Sequence, residues 1–134
     1  MKIIIAGAGD IGFHLAQLLA LENQDIVLID TNAEVLQYVN SHLDVLTLRG
    51  DSSSINVLQQ AEAEKADLLL AVTTSEKTNL ITAILAKKMG AKRTIARVKE
   101  QSYLVEQHRN TFRELGIDSL ISPRQLAAKE ILRL

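Results

Sequence analysis

Two hydrophobic spacings alternate along this chain. Ile3-Ile4-Ile5-Ala6 is an unbroken apolar run, the pattern of a strand covered on both faces of a parallel sheet. Ile11, Leu15, Leu18 and Leu19 then recur at helical spacing, with Ala16 and Ala20 small enough for close packing. A helix is therefore expected from about Asp10. Ile26-Val27-Leu28-Ile29 makes a second strand that closes on Asp30. Thr31-Asn32-Ala33-Glu34 has capping-box spacing, and Val35, Leu36 and Val39 give the next helix its buried stripe.

The same rhythm continues. Val45 to Leu48 reads as a third strand ending at Arg49-Gly50-Asp51, and Ile55, Val57, Leu58 and Ala61 support a short helix. Ala66 to Val72 is again fully apolar, hence a central strand, and it ends at Thr73-Thr74-Ser75. The following helix carries Leu80, Ile81, Ile84 and Leu85 on one face, has Lys87 and Lys88 in its last turn and stops at Gly90. Thr94 to Val98 form a fifth strand bearing Arg97. A helix from Ser102 to Leu115 ends at Gly116, and Ser119-Leu120-Ile121 form a sixth strand.

Strict alternation of strand and helix implies right-handed crossovers. The expected fold is α/β, a three-layer doubly wound parallel sheet of Rossmann-like type with its six strands in the order 3-2-1-4-5-6. Residues 1–121 make that domain. Residues 122–134 open a C-terminal crossover helix, with Ser122 as cap, Pro123 at its first position and Gln125 at the capping-box position. Leu126, Ile131 and Leu134 give that helix an apolar stripe with no later element to cover it, which suggests a dimer contact or a segment of a longer protein.

In such a sheet, ligands lie outside the carboxyl ends of the strands, where the strand order reverses. Gly7-Ala8-Gly9-Asp10-Ile11-Gly12 falls at that place, between the first strand and its helix. Gly7 permits the tight bend, Gly9 removes a Cβ where a phosphate must approach, and Gly12 lets the helix pack on the strand. Free N–H groups and the helix dipole then favour an anion, and a pyrophosphate satisfies both. Asp30 follows roughly 20 residues on, where an acid accepts hydrogen bonds from ribose hydroxyls and repels a 2′-phosphate. Asp51, Thr73-Thr74 and Arg97 end strands on the same edge.

Composition narrows the function. The 134 residues are 47% hydrophobic and 23% charged, with a formal charge of −1 and 3% aromatic residues. Nucleic acid is excluded as a partner on that balance, since neither a basic surface nor a stacking platform is available. With no cysteine, disulfides and thiolate chemistry are excluded. No apolar run approaches the ~20 residues that span a bilayer, so direct membrane insertion is not expected and the chain reads as cytoplasmic. His108 falls on the stripe of Leu104, Val105, Phe112 and Leu115, which makes it a packed or interface histidine, and no acid or nucleophile is spaced suggestively from His14 or His42.

Taken together, Ile3 to Gly12, Val27-Leu28-Ile29-Asp30, Gly50-Asp51, Ala71-Val72-Thr73-Thr74-Ser75-Glu76-Lys77-Thr78-Asn79, Ile95-Ala96-Arg97-Val98 and Ile121-Ser122-Pro123 resemble the RCK/KTN (TrkA N-terminal) family of nucleotide-binding domains, regulators of potassium conductance and transport. The resemblance covers the full chain. It implies a sensor without catalysis, which binds NAD(H), or alternatively ATP or ADP, and signals to a membrane potassium channel or transporter subunit at the inner face of the membrane. It also implies a homo-oligomer, a dimer or a larger ring. By that likeness the backbone of Gly7, Ala8, Gly9, Asp10 and Ile11 holds phosphate, Asp30 the adenosine ribose, Gly50, Asp51 and Ser52 the adenine surroundings, Thr73 and Thr74 the sugar-phosphate edge, and Arg97 a phosphate or the distal half of the ligand, with Gly12 and Thr31 counted in the cofactor-binding set. Some ATP-binding relatives carry a basic residue where this chain has Asp10, which favours a dinucleotide over ATP here. The competing reading is the cofactor half of a nicotinamide-dependent dehydrogenase whose substrate domain is absent.

Overall fold

Ile3, Ile4 and Ile5 are fully buried because the strand they form, β1 (Lys2–Ala6), lies inside a sheet with a neighbour on each edge and a layer on each face. In the computed structural model, which describes residues 1–122, β2 (Asp25–Asp30), β3 (Leu46–Arg49), β4 (Leu68–Ala71), β5 (Thr94–Arg97) and β6 (Ser119–Ile121) complete that sheet. All five pairings are parallel, and the order is β3-β2-β1-β4-β5-β6 as expected. The crossover helix expected from residue 122, with Leu126, Ile131 and Leu134, lies outside the described residues.

Between the strands run α1 (Asp10–Leu21), α2 (Ala33–His42), α3 (Ile55–Gln60), α4 (Glu76–Met89) and α5 (Glu106–Glu114). Successive strand side chains point to opposite faces. Ile3, Ile5 and Leu28 accordingly join Leu15, Leu19, Leu36 and Val39 of α1 and α2 in one apolar layer. Ile4, Val27, Ile29 and Leu69 join Leu58, Ala83 and Ala86 of α3 and α4 in the other. Each fully buried Ile or Leu contributes about 1.5–3 kcal/mol relative to exposure, so the strand ends are held on a rigid floor.

Two local expectations are corrected. The cap of α2 is Asn32, whose side chain accepts from Glu34 N at 2.9 Å and Val35 N at 3.2 Å. Thr31 is displaced from that role because Asp30 Oδ1 already accepts the Asn32 N–H at 2.8 Å, which sets the turn one residue later. At α4 the cap is Ser75, the last residue of the Thr73-Thr74-Ser75 stretch, accepting from Thr78 N at 3.3 Å. The second correction concerns the helix expected over 102–115, which is a 3-10 turn, Gln101–Leu104, then Val105 in extended backbone, then α5. That break ends the register linking Leu104 to His108, so His108 is exposed, its Nδ1 2.8 Å from the Ser102 carbonyl.

Candidate functional site

Beyond Ala6 the chain turns sharply at Gly7, whose φ of +107° suits glycine. A Cβ there would stand 2.9 Å from Thr73 N, so the first loop lies directly against the end of β4. Gly12, in the first turn of α1, has no room for a side chain, since a Cβ would fall 1.6 Å from the Gly7 carbonyl oxygen. Gly9 differs. Nothing lies within 4 Å of where its Cβ would be, so its bareness serves no packing inside the chain. It is also the N-cap of α1 and supplies no side-chain acceptor, whereas α2, α3 and α4 are each capped by an Asn or Ser side chain. The first-turn N–H groups of α1 are thus left for an external acceptor.

A cavity of about 500 Å³ opens at this point. The structure brings together around it Gly7, Gly9, Asp10, Ile11, Asp30, Thr31, Gly50, Asp51, Ser52, Thr73, Thr74 and Arg97, from five strand ends. Two of the anticipated residues stand behind the wall. Ala8 is buried beneath the loop and Gly12 is packed on Gly7. Ile29, Val72, Ser75 and Thr78 also line the cavity and were not singled out from the sequence. The first two had read as strand interior and the last two as ordinary capping and helix residues.

Charge in the cavity is uneven. Asp10, Asp30 and Asp51 face it, and Arg97 is the only basic side chain lining it among the described residues. Asp30 spends one lone pair of each oxygen on backbone, Oδ2 on Ala8 N and Oδ1 on Asn32 N, both at 2.8 Å, and the others remain for a ligand. Asp51 Oδ1 accepts the Ser53 hydroxyl at 2.7 Å and the Ser53 N–H at 2.9 Å. Those bonds hold its carboxyl below the usual range, the hydroxyl contributing most. Ser52 lines the cavity with its hydroxyl committed elsewhere, 2.9 Å from Thr82 Oγ1 in a buried pair. Arg97 reaches the Thr73 carbonyl only weakly, Nη1 to oxygen 3.4 Å, and its buried Nε has no partner. A buried guanidinium donor without a partner is uncommon.

Asn79 is the polar residue whose role is not evident from sequence. It is 1% exposed on α4. Its Oδ1 accepts from Thr73 N at 2.9 Å and from the Thr73 hydroxyl at 2.7 Å, while its Nδ2 donates to the carbonyls of Thr73 and Arg97, both at 3.0 Å. An asparagine inside an apolar helical stripe, where it is disfavoured, was the available signal.

No group of three or more His, Cys, Asp or Glu residues is placed to hold a metal ion among the described residues. None of the described helices is long and apolar enough to cross a membrane.

Comparison with known proteins agrees with the architecture. The TrkA-N domain of the inner membrane protein ybaL from Escherichia coli superposes with a TM-score of 0.78 at 17% identity, covering 98% of this chain and 94% of that one. The GsuK channel bound to NAD superposes at 0.73 with 19% identity, covering 90% of this chain and 21% of that one. At those identities the likeness is one of fold. Sequence goes further. The Trk system potassium uptake protein TrkA of Halomonas elongata is 42% identical over 135 residues, and the TrkA homolog of Archaeoglobus fulgidus is 41% identical over 138. Each match takes in 100% of this chain and 30% of the relative, so the chain spans under a third of the length of these curated proteins. The TrkA-N domain model itself matches residues 3–123. A match over the whole of this chain to part of two potassium uptake proteins, together with that domain match, establishes that the chain belongs to the TrkA-N domain family.

Proposed function

We propose that this chain is the nucleotide-sensing domain of a potassium uptake regulator, that its ligand is NAD(H), and that ligand state is passed to a membrane transporter subunit on the cytoplasmic side. The observation that carries the reading is the meeting, in one cavity, of the uncapped α1 N-terminus, the Asp30 carboxylate and the Arg97 side chain. The three supply what a dinucleotide needs: donors for a pyrophosphate, an acceptor for ribose hydroxyls and a cation toward the distal end. Gly50, Asp51 and Ser52 would border the adenine, with Thr31 beside the ribose and Thr73 and Thr74 along the sugar-phosphate edge.

Three carboxylates against one guanidinium disfavour a ligand with more negative charge. Asp10, in the first turn of α1, is placed to repel the terminal phosphates of ATP, so ATP and ADP are the weaker alternatives. Solved relatives in fold include GsuK bound to NAD and GsuK bound to ADP, which supports the ligand class while leaving the order of affinity to this chain's own charges. A regulatory role follows from the kinship with potassium uptake proteins, and acting as a homo-oligomer would give the ligand a second copy to move against.

Thermal unfolding with NADH, NAD, ATP and ADP at equal concentration tests the ligand. At 100 times its dissociation constant a ligand adds about 2.7 kcal/mol, roughly 10 °C in midpoint for a domain of this size. NADH or NAD is expected to give that shift and ATP little. A larger shift with ATP would overturn the charge argument, and no shift with any of the four would remove the site. Regulation is tested on the full-length protein with its transporter in vesicles, where potassium flux must differ between ligands, since a ligand that binds both states equally switches nothing.

A further inference from the structure

We infer that Asn79 is the positioning residue that sets Arg97 and Thr73 against the ligand and ties them to α4, an inference that rests on a nucleotide occupying the cavity. The pairing of β4 with β5 ends at Ala71 and Ala96. Beyond it β4 and β5 part: β5 stays in register with β6 as far as Arg97 and Ile121, but the pairing with β4 reaches neither Thr73 nor Arg97. The Asn79 amide fills that gap with both donors and both acceptors engaged, which exhausts its capacity. It acts as an extra peptide unit between the two strand ends, delivered from the helix.

Arg97 depends on it twice. Its carbonyl is held by Asn79 Nδ2, and its guanidinium leans on the Thr73 carbonyl that the same nitrogen holds. One turn earlier on α4, the Glu76 carboxylate accepts the backbone N–H groups of Lys99 and Glu100, directly after β5. The Arg97 carbonyl and the chain just beyond it are therefore anchored to the first turns of one helix. A ligand that draws on the Arg97 guanidinium, which lines the cavity, pulls on β5, on the chain following it and on α4 as one body. The Asp30 side of the cavity is held separately, through Ala8 and Asn32.

The test is a double-mutant cycle on NADH affinity, with Asn79→Ala, Arg97→Met and both together, each checked for folding by circular dichroism. Asn79→Ala alone is expected to weaken NADH about tenfold or more, and to weaken it less than about twofold once Arg97 is already Met. Equal loss in both backgrounds, or no loss from Asn79→Ala, overturns the inference, because a residue that merely supports the fold would not act through Arg97. Should Asn79→Ala fail to fold, amide exchange on the unmodified protein decides. NADH should then slow exchange at Thr73, Lys99 and Glu100, and slowing confined to Ala8 and Asn32 overturns the inference. Failure of the unmodified protein to bind NADH, NAD, ATP or ADP overturns the nucleotide reading, and this one with it.

Discussion

The Asp30 carboxylate accepts a hydrogen bond from the backbone N–H of Ala8 at 2.8 Å, and so ties the end of β2 to the middle of the glycine loop. The same side chain takes the Asn32 N–H with its other oxygen. Asp30 thus builds the site before any ligand arrives. An acid at this position is expected to meet ribose, and the structure adds that it also holds the loop.

Substitution separates those two tasks. Asp30→Ala leaves two backbone donors without their acceptor and is expected to cost about 1–3 kcal/mol in stability. Asp30→Asn keeps one acceptor, so it should cost less in urea unfolding while still weakening NAD(H) about tenfold, through loss of a charged acceptor for the ribose. A variant that binds NADPH better than the unmodified chain would show directly that the carboxylate is what repels a 2′-phosphate.

Gly9 and Gly12, three residues apart, should respond in opposite ways to the same methyl group. Gly12→Ala drives a Cβ into the Gly7 carbonyl, so α1 must move off the strand, at a cost of about 3 kcal/mol or more. Gly9→Ala meets nothing in the chain, and its φ of −70° is ordinary for alanine. Its stability should stay within about 1 kcal/mol of the unmodified chain, while nucleotide affinity falls because the methyl group stands where phosphate must come close. Calorimetric titration beside thermal unfolding distinguishes the two. A Gly9→Ala chain with full affinity would mean that the phosphate does not sit over that residue.

Acid should weaken the fold through groups far from the cavity. The Asp67 carboxyl is held below its ordinary 3.8, first by the Lys2 backbone N–H and then by Lys92. Contacts with Lys65 and Lys2 lower Glu62 likewise, from 4.5. A carboxyl depressed in the folded state contributes stability that is fully present above its unfolded pKa and lost as pH falls through the folded one. Unfolding midpoints should therefore be level from neutral pH down to about 5, and fall below about 4. In Asp67→Asn the neutral-pH midpoint should drop and the acid slope should flatten. An unchanged slope would mean that Asp67 carries none of it.

The sheet was legible in the sequence because its strands are buried on both faces and read as unbroken apolar runs such as Ile3-Ile4-Ile5-Ala6 and Leu68-Leu69-Leu70-Ala71. The glycine loop and Asp30 were legible because each sits at a strand end, where the topology forces residues together. Periodicity misjudged α4. It assigned Ile81 to the inward face, yet Ile81 is 47% exposed and Asn79 and Thr82 are buried. Hydrophobicity cannot rank a buried asparagine whose hydrogen bonds come from two strand ends, at Thr73 and Arg97. Nor does spacing show that the Glu76 carboxylate reaches Lys99 and Glu100. Such partners appear only once the strands are placed.

Thr82 is the second polar residue that α4 buries, and its hydroxyl meets that of Ser52 at 2.9 Å, linking the loop after β3 to the helix that also holds β4 and β5. Removing one hydroxyl takes a buried partner from the other, so Ser52→Ala and Thr82→Val should each cost about 1–3 kcal/mol. Removing both leaves no widowed group, and the double variant should be more stable than the sum of the two losses predicts, by about 1 kcal/mol or more. Urea unfolding of the four proteins measures that coupling. Simple additivity would show that each hydroxyl finds another acceptor, and that the β3 loop and α4 are held together by apolar packing alone.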